Sequence, residues 1–307
     1  MRHFLSCADL TREAALATFS TSAALKQGLK SGARDAPLAG RTLALIFEKP
    51  SLRTRVTFEV GVIQLGGRGV YLAGSEIGLG TRESVPDVAR NLSRWVDGIV
   101  ARVFSHATIE ALAHHATVPV INALSDFEHP CQAVADFFTL WERGVDLARM
   151  RFAWIGDGNN VCHSLLFLGG LFGSSIIVAC PPGYEPSADV VAAVRRLGGD
   201  VTLTVDAREA AEGADVLYTD VWTSMGQEAE RETRREAFAR YQISETLMGF
   251  AKPSALVMHC LPAHRGEEIT EGVLDGPHSV VLDQAENRLH AQKALILGLL
   301  GGSLDDV

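Results

Sequence analysis

The 307-residue sequence has no long uninterrupted apolar run. Its most apolar stretch, Ser164 to Ala179, is broken by Gly169, Gly170 and Gly173 and is too short to cross a bilayer. It reads instead as a buried helix, turn and strand. The opening residues, Met1 to Asp9, carry no extended hydrophobic segment, so the expectation is a cytoplasmic protein without a secretory signal. Positive charge is scarce. Lys and Arg number 28 against 37 Asp and Glu, a formal charge of −9, which argues against a nucleic-acid partner or an anionic membrane surface. A local cationic pocket for a small anion remains compatible with that balance. Cysteine is sparse and odd in number: Cys7, Cys131, Cys162, Cys180 and Cys260 form no C-x-x-C pair and no metal-ligand spacing. They read as reduced thiols, and no metal site is expected. Repeats and low-complexity tracts are absent.

What is present is core-forming material. With 47% hydrophobic residues, a chain of this length fits two medium α/β domains better than one. Short β-rich apolar runs alternate with helical segments, the pattern of a mostly parallel sheet flanked by helices in each domain. Strands are expected at Thr42–Phe47, Gly69–Leu72, Gly98–Val103 and Val118–Asn122, then at Arg151–Ile155, Ser175–Cys180, Asp200–Val205, Val216–Asp220, Ala255–His259 and Val280–Leu282. The charged helical stretch Trp141 to Asp146 marks the boundary, giving domains 1–145 and 146–285. The segment 286–307 contains a closing helix, with Leu289, Ala294, Leu297 and Leu300 as its apolar positions, expected to return to the first domain.

Ligands of open parallel sheets gather beyond the carboxyl ends of the strands, and five such places carry polar residues without an obvious structural task. After the first strand comes Ser51-Leu52-Arg53-Thr54-Arg55, followed by Val56, Val60 and Ile63 at helical spacing and ended by Gly66-Gly67. Ser51 as N-cap, the free N–H groups of the first turn, the hydroxyls and Arg53 together suit a phosphate dianion. A capped helix with solvated arginines is the plainer reading, for the segment is neither a P-loop nor a dinucleotide motif. Arg102 ends an apolar strand, where a cation needs an anionic partner, and a salt bridge would also satisfy it. His129 and Gln132 stand at the mouth of a helix that Pro130 opens. They could hydrogen-bond a carbonyl oxygen and an amide nitrogen, although a lone histidine there is more often a surface residue.

The fourth place, Gly156-Asp157-Gly158-Asn159-Asn160-Val161, resembles a dinucleotide turn but has Val161 where the third glycine belongs, which disfavours a nicotinamide cofactor. Asn160 at a helix N-terminus suits a carboxylate. The fifth is a pair of strand ends, Asp220 to Gly226 and His259 to Glu268, in which Asp220 could take an ammonium group. Cys260 is either an inert buried thiol or one activated by a nearby cation or helix end.

Together these segments, with Glu286-Asn287-Arg288-Leu289-His290, resemble the aspartate/ornithine carbamoyltransferase family, in its ornithine-specific branch, in order and over nearly the whole chain. The resemblance implies transfer of the carbamoyl group of carbamoyl phosphate to the side-chain amine of L-ornithine, giving L-citrulline and phosphate, with no cofactor. It implies a first domain for carbamoyl phosphate, a second for ornithine, and a homotrimer or assembly of trimers with active sites between neighbouring subunits. Carried over by position, Ser51, Leu52, Arg53 and Thr54 would hold the phosphate and Arg102 would bridge phosphate and carbonyl. His129, Gln132, Cys260, the Leu261 carbonyl and Arg288 would surround the carbamoyl group. Asn160, Asp220, Ser224 and Met225 would hold ornithine. Arg53, Arg102, His129 and Cys260 would be the catalytic set.

Two positions depart from the family pattern. Leu52 stands where a small polar residue is usual, and Gly78 stands where a neighbouring subunit's glutamine would reach carbamoyl phosphate. Weaker affinity for carbamoyl phosphate is the expectation. Rival readings are a sister transferase for aspartate, an acylated ornithine or a diamine, a non-catalytic paralogue that senses carbamoyl phosphate or ornithine, and a nucleotide-dependent oxidoreductase. Aspartate would need an extra cation in the acceptor pocket, acylated ornithine would leave Asp220 without its ammonium partner, and putrescine would leave Asn160 without its carboxylate.

Overall fold

The computed structural model describes residues 2–33, 35–224 and 226–301. The chain divides into two units. The first holds the residues through Phe138 and those from Glu286 onward, and the second is Thr139–Ala285.

In the first unit, runs of aliphatic residues form β1 (Thr42–Phe47), β2 (Arg68–Ala73), β3 (Gly98–Arg102) and β4 (Val120–Leu124), all parallel, in the order β2-β1-β3-β4. β3 and β4 are buried along their whole length and β1 from its second residue, as a sheet covered on both faces requires. β4 begins two residues later than its apolar run suggests, because Pro119 has no N–H to give to the ladder. β2 is an edge strand, and its Arg68, Gly69 and Val70 are exposed.

The second unit has five parallel strands: β5 (Arg151–Ile155), β6 (Ser175–Ala179), β7 (Asp200–Thr204), β8 (Val216–Thr219) and β9 (Leu256–His259), ordered β7-β6-β5-β8-β9. The stretch from Ser164 to Ala179 is the end of a helix, a left-handed Gly173 and β6. The expected sixth strand at Val280–Leu282 does not form. Ser279 makes one bridge to Val257 and Val280 donates to the Val257 carbonyl, after which Gln284 N–H reaches Val280 and the chain becomes helical. Asp283 in the first turn favours that helix start, and Leu282 points to solvent, 77% exposed.

The closing helix is therefore Val281–Leu300, five residues longer than its periodicity indicates. Its later part belongs to the first unit, as expected. There Asn287 accepts from Lys26 Nζ at 2.9 Å and Lys293 Nζ donates to Gln64 at 3.0 Å. The helix Leu52–Gln64 forms where expected. Thr54, Phe58, Gly61 and Val62 are buried, while Val56 and Ile63 of the apolar stripe are exposed.

Each strand order reverses once, between β1 and β3 and between β5 and β8. Those switch points open a crevice at the carboxyl ends of the strands, and both are where the polar segments lie.

Candidate active site

At the β1/β3 switch point, Ser51 caps the Leu52 helix by accepting the Thr54 N–H at 3.2 Å. The pairing of β3 with β4 shifts register between Ala101 and Arg102, an irregularity that re-aims the last side chain of β3. Arg102 is buried there, and its carbonyl accepts the Glu48 N–H at 2.9 Å. Pro130 is the first residue of the helix Pro130–Glu142, and the His129 carbonyl accepts the Gln132 N–H at 3.0 Å. Arg288, 2% exposed, donates to Thr54 Oγ1 at 3.2 Å and to Gln132 Oε1, and Gln132 in turn donates to Asp136 at 2.7 Å.

Burial first, then the charges of Arg288, Arg102 and Arg53, hold the His129 pKa well below the ordinary imidazole range. The ring is neutral at physiological pH and can donate one hydrogen bond without adding a charge. The charges of three guanidinium groups thus act on one neutral imidazole, an arrangement that suits a small anion with a polar carbonyl. Leu52 stands at the first helical position, 74% exposed.

At the β5/β8 switch point, Asn159 is the helix cap. It accepts from Val161 N–H at 2.9 Å and Cys162 N–H at 3.2 Å, and its Nδ2 donates to Asp220 Oδ2 at 2.9 Å. Asn160 is the first residue of the helix Asn160–Phe172. Gly158 has its Cα against the backbone of Glu185 and Pro186, where a Cβ would come within 2.1 Å of Pro186 N. The face that a dinucleotide phosphate would approach is thus filled by the chain itself. Asp220 Oδ1 accepts from Val221 N–H at 2.8 Å and from Cys260 Sγ at 2.9 Å. Cys260 is thus a donor to a carboxylate, an environment opposite to one that activates a thiolate. Ser224 N–H donates to Gln227 Oε1 at 3.0 Å, and Met225 lies outside the described residues. Leu261 follows Cys260 with φ +59°.

Sequence reasoning missed Arg234. It is buried, pairs with Asp157, donates through Nε to the Trp222 carbonyl at 2.5 Å and lies over the Tyr184 ring. Its signal was faint: Arg234, Phe238 and Tyr241 share one helical face in an otherwise polar segment. Burial raises the Asp157 pKa to about 6, with Arg234 holding part of the rise back and Asp220 adding to it. Glu128 was also missed. It is fully buried and accepts from Ser6 Oγ and Cys7 N–H, fastening the N-terminal segment beside His129.

Asp220, His259 and Cys260 bring ligand-capable atoms within 4.8 Å of one another. Both His259 ring nitrogens are already engaged, by Leu261 N–H and by Glu268, which leaves two donors for a metal where a closed zinc site uses four.

A cationic cluster suited to an anionic carbonyl compound on one parallel sheet, and a carboxylate suited to an amine on another, fit an enzyme of group transfer. The comparisons sharpen that class. Residues 2–142 match the carbamoyl-P binding domain, and residues 148–299 the Asp/Orn binding domain, of aspartate/ornithine carbamoyltransferase. An ornithine carbamoyltransferase of Archaeoglobus fulgidus is 49% identical over 301 residues, 98% of each chain. The solved ornithine carbamoyltransferase of Pyrococcus furiosus superposes with a TM-score of 0.95 at 49% identity, covering 98% of this chain and 97% of that one. A solved N-acetyl-L-ornithine transcarbamylase is similar at 29% identity, TM-score 0.87, with 97% of this chain and 100% of that one covered. The chain belongs to the aspartate/ornithine carbamoyltransferase family.

Proposed function

We propose that this protein transfers the carbamoyl group of carbamoyl phosphate to the side-chain amine of L-ornithine, giving L-citrulline and phosphate, as a cytoplasmic enzyme of arginine metabolism. The observation that carries the donor side is the convergence of Arg53, Arg102 and Arg288 on neutral His129. Ser51, Thr54 and the first-turn N–H groups after Leu52 hold the phosphate, with Arg53 and Arg102. His129, Gln132, Arg288, Cys260 and the Leu261 carbonyl orient the carbamoyl group. On the acceptor side, Asp220 binds the α-ammonium, Asn160 the carboxylate, and Ser224 and Met225 complete the pocket.

The amine lone pair attacks the carbamoyl carbon, the C–O bond to phosphate breaks, and phosphate leaves with that electron pair. The charge that develops on the carbonyl oxygen is met by Arg53, Arg102 and His129, donors of a kind worth roughly 3 kcal/mol each. Neutral His129 adds a donor where a fourth cation would be repelled by three guanidinium groups. The side-chain ammonium loses one proton to solvent before its nitrogen attacks and a second once the C–N bond has formed, and the departing phosphate can accept that second proton, since Cys260 is engaged as a donor to Asp220.

The test is citrulline and phosphate release with carbamoyl phosphate and, separately, ornithine, N-acetylornithine, putrescine and aspartate. Turnover with ornithine alone is expected. Turnover with another acceptor keeps the donor side and overturns the acceptor pocket, and no turnover with any favours a sensor of these compounds.

The homotrimer implied by the family is supported by the exposed stripe Leu52, Val56 and Ile63 and the exposed edge residue Val70. Among the described residues, no helix is long and apolar enough to cross a membrane.

A further inference from the structure

His259 ends β9 with both ring nitrogens occupied inside the second unit. Nδ1 accepts the Leu261 amide N–H at 2.8 Å, and Nε2 stands 3.1 Å from Glu268 Oε1. The first bond requires a bare Nδ1, so the ring proton is on Nε2 and is donated to Glu268. Both side chains are fully buried. Glu268 Oε1 also accepts the His264 N–H at 2.5 Å, whereas Oε2 has no hydrogen-bond partner among the described residues and lies 3.6 Å from His264 Nδ1. A buried carboxylate served mainly through one oxygen is costly, and an apolar residue would fill the volume at less expense in solvation.

What this couple touches is the turn that follows β9. Leu261 adopts φ +59°, a region that residues with a Cβ avoid, and its N–H is the group His259 holds. The residue between them, Cys260, places its Sγ 2.9 Å from Asp220 Oδ1. From the other side, His259 N–H donates to Gln284 Oε1 at 3.1 Å, and Gln284 Nε2 donates to Tyr218 OH at 3.0 Å. The turn is therefore over-determined around one imidazole whose tautomer decides whether it can hold Leu261 at all. A proton on Nδ1 would face the Leu261 N–H donor to donor.

We propose that Glu268 and His259 are positioning residues for the transfer. Glu268 fixes the Nε2–H tautomer, and the bare Nδ1 then holds Leu261, aiming its carbonyl and keeping the Cys260 thiol on Asp220. The activity readout of this proposal rests on the carbamoyl-transfer reading. Its structural readout does not.

The experiment uses the full chain with 15N-labelled histidine, as wild type, Glu268→Gln and Glu268→Leu, with His259→Asn to assign the ring signals. Long-range proton–nitrogen spectra of wild type are expected to show His259 neutral, with Nε2 protonated and Nδ1 bare. Glu268→Gln keeps an oxygen that accepts both N–H groups, so it should keep that signature and stay within about threefold of wild-type kcat/KM for ornithine. Glu268→Leu should lose the single-tautomer signature and about 10- to 100-fold in kcat/KM. A protonated or Nδ1–H ring in wild type overturns the proposal, as does full activity in a folded Glu268→Leu protein. Equal losses of activity in Gln and Leu variants that both keep the wild-type ring signature also overturn it. Wild type that fails to carbamoylate ornithine would instead sink the reading of function, while the spectra still decide the tautomer. Should Glu268→Leu not fold, wild type and Glu268→Gln carry the test.

Discussion

Asn159 caps the Asn160 helix and, through Nδ2, donates to Asp220 Oδ2 at 2.9 Å, so one amide serves a helix end and the Asp220 carboxylate at once. The two tasks separate by substitution. Asn159→Asp keeps an oxygen for the cap but places a second carboxylate beside Asp220. It should unfold within ~1 kcal/mol of wild type while the ornithine KM rises. Thermal unfolding and initial-rate kinetics on one preparation check this, and an unchanged KM would remove Asp220 from the acceptor pocket.

The Asp157–Arg234 pair predicts a pH dependence of stability. The folded Asp157 pKa, about 6, lies above its ordinary value of 3.8. The folded state therefore binds the proton more tightly than the unfolded state. Stability from this group is present at low pH and is lost as pH rises from about 4 to 6, by ~3 kcal/mol. Urea unfolding should show Asp157→Asn gaining on wild type by that order across this window. A constant difference would mean that Arg234 compensates the carboxylate fully. Arg234→Met should cost ~3–5 kcal/mol, because it leaves Asp157 buried without its cation.

His129 predicts a slope of the opposite sign. Its folded pKa lies well below 6.5, so the unfolded state takes the proton first, and this stability is lost as pH falls through that value. His129→Gln should flatten the unfolding profile below about pH 6.5. A wild-type imidazole that titrates near its ordinary value by NMR would contradict the three-arginine environment.

Leu52 and Gly78 respond differently to restoring the family pattern. Leu52 is exposed at the first turn of its helix, where Leu52→Thr adds a hydroxyl without strain, and carbamoyl phosphate should bind up to about tenfold tighter in calorimetry. Gly78 has φ +60°, and a Cβ there would sit 2.7 Å from Arg82 Cβ. Gly78→Gln should therefore not tighten binding by itself, since its loop must rearrange to accept the side chain.

The exposed stripe predicts assembly. Ile63→Glu combined with Val70→Glu places charges where a subunit interface would bury apolar surface. Sedimentation should show the trimer falling to smaller species with little change in the far-ultraviolet circular dichroism of the separated chains. A wild-type protein that sediments as a monomer would overturn the assembly outright.

Much of this was legible in order of residues. β1 and β5 fall on their expected residues because aliphatic runs there end at Glu48-Lys49-Pro50 and Gly156. Val280–Leu282 was not legible as helix, since three apolar residues look alike in a buried strand and in a first helical turn. The inward face of the Leu52 helix was not legible, because Val56 and Ile63 are apolar without being core. Ser51, Arg102 and His129 stand out in the sequence by their places at or after strand ends, where the structure puts them. Arg234 was not assigned because its partner lies 77 residues away, and Glu128 because its partners lie 122 and 121 residues away. Such pairings exist only after the chain has folded.

The closing helix gives the donor pocket an order of completion. Arg288 meets Thr54 and Gln132 only when residues 234 and 156 positions apart come together. On the ribosome the first 138 residues emerge long before that helix does. The Arg288–Thr54–Gln132 cluster is therefore the last part of its own unit to be finished, and a nascent chain stalled before Glu286 would present a complete sheet with that cluster unassembled.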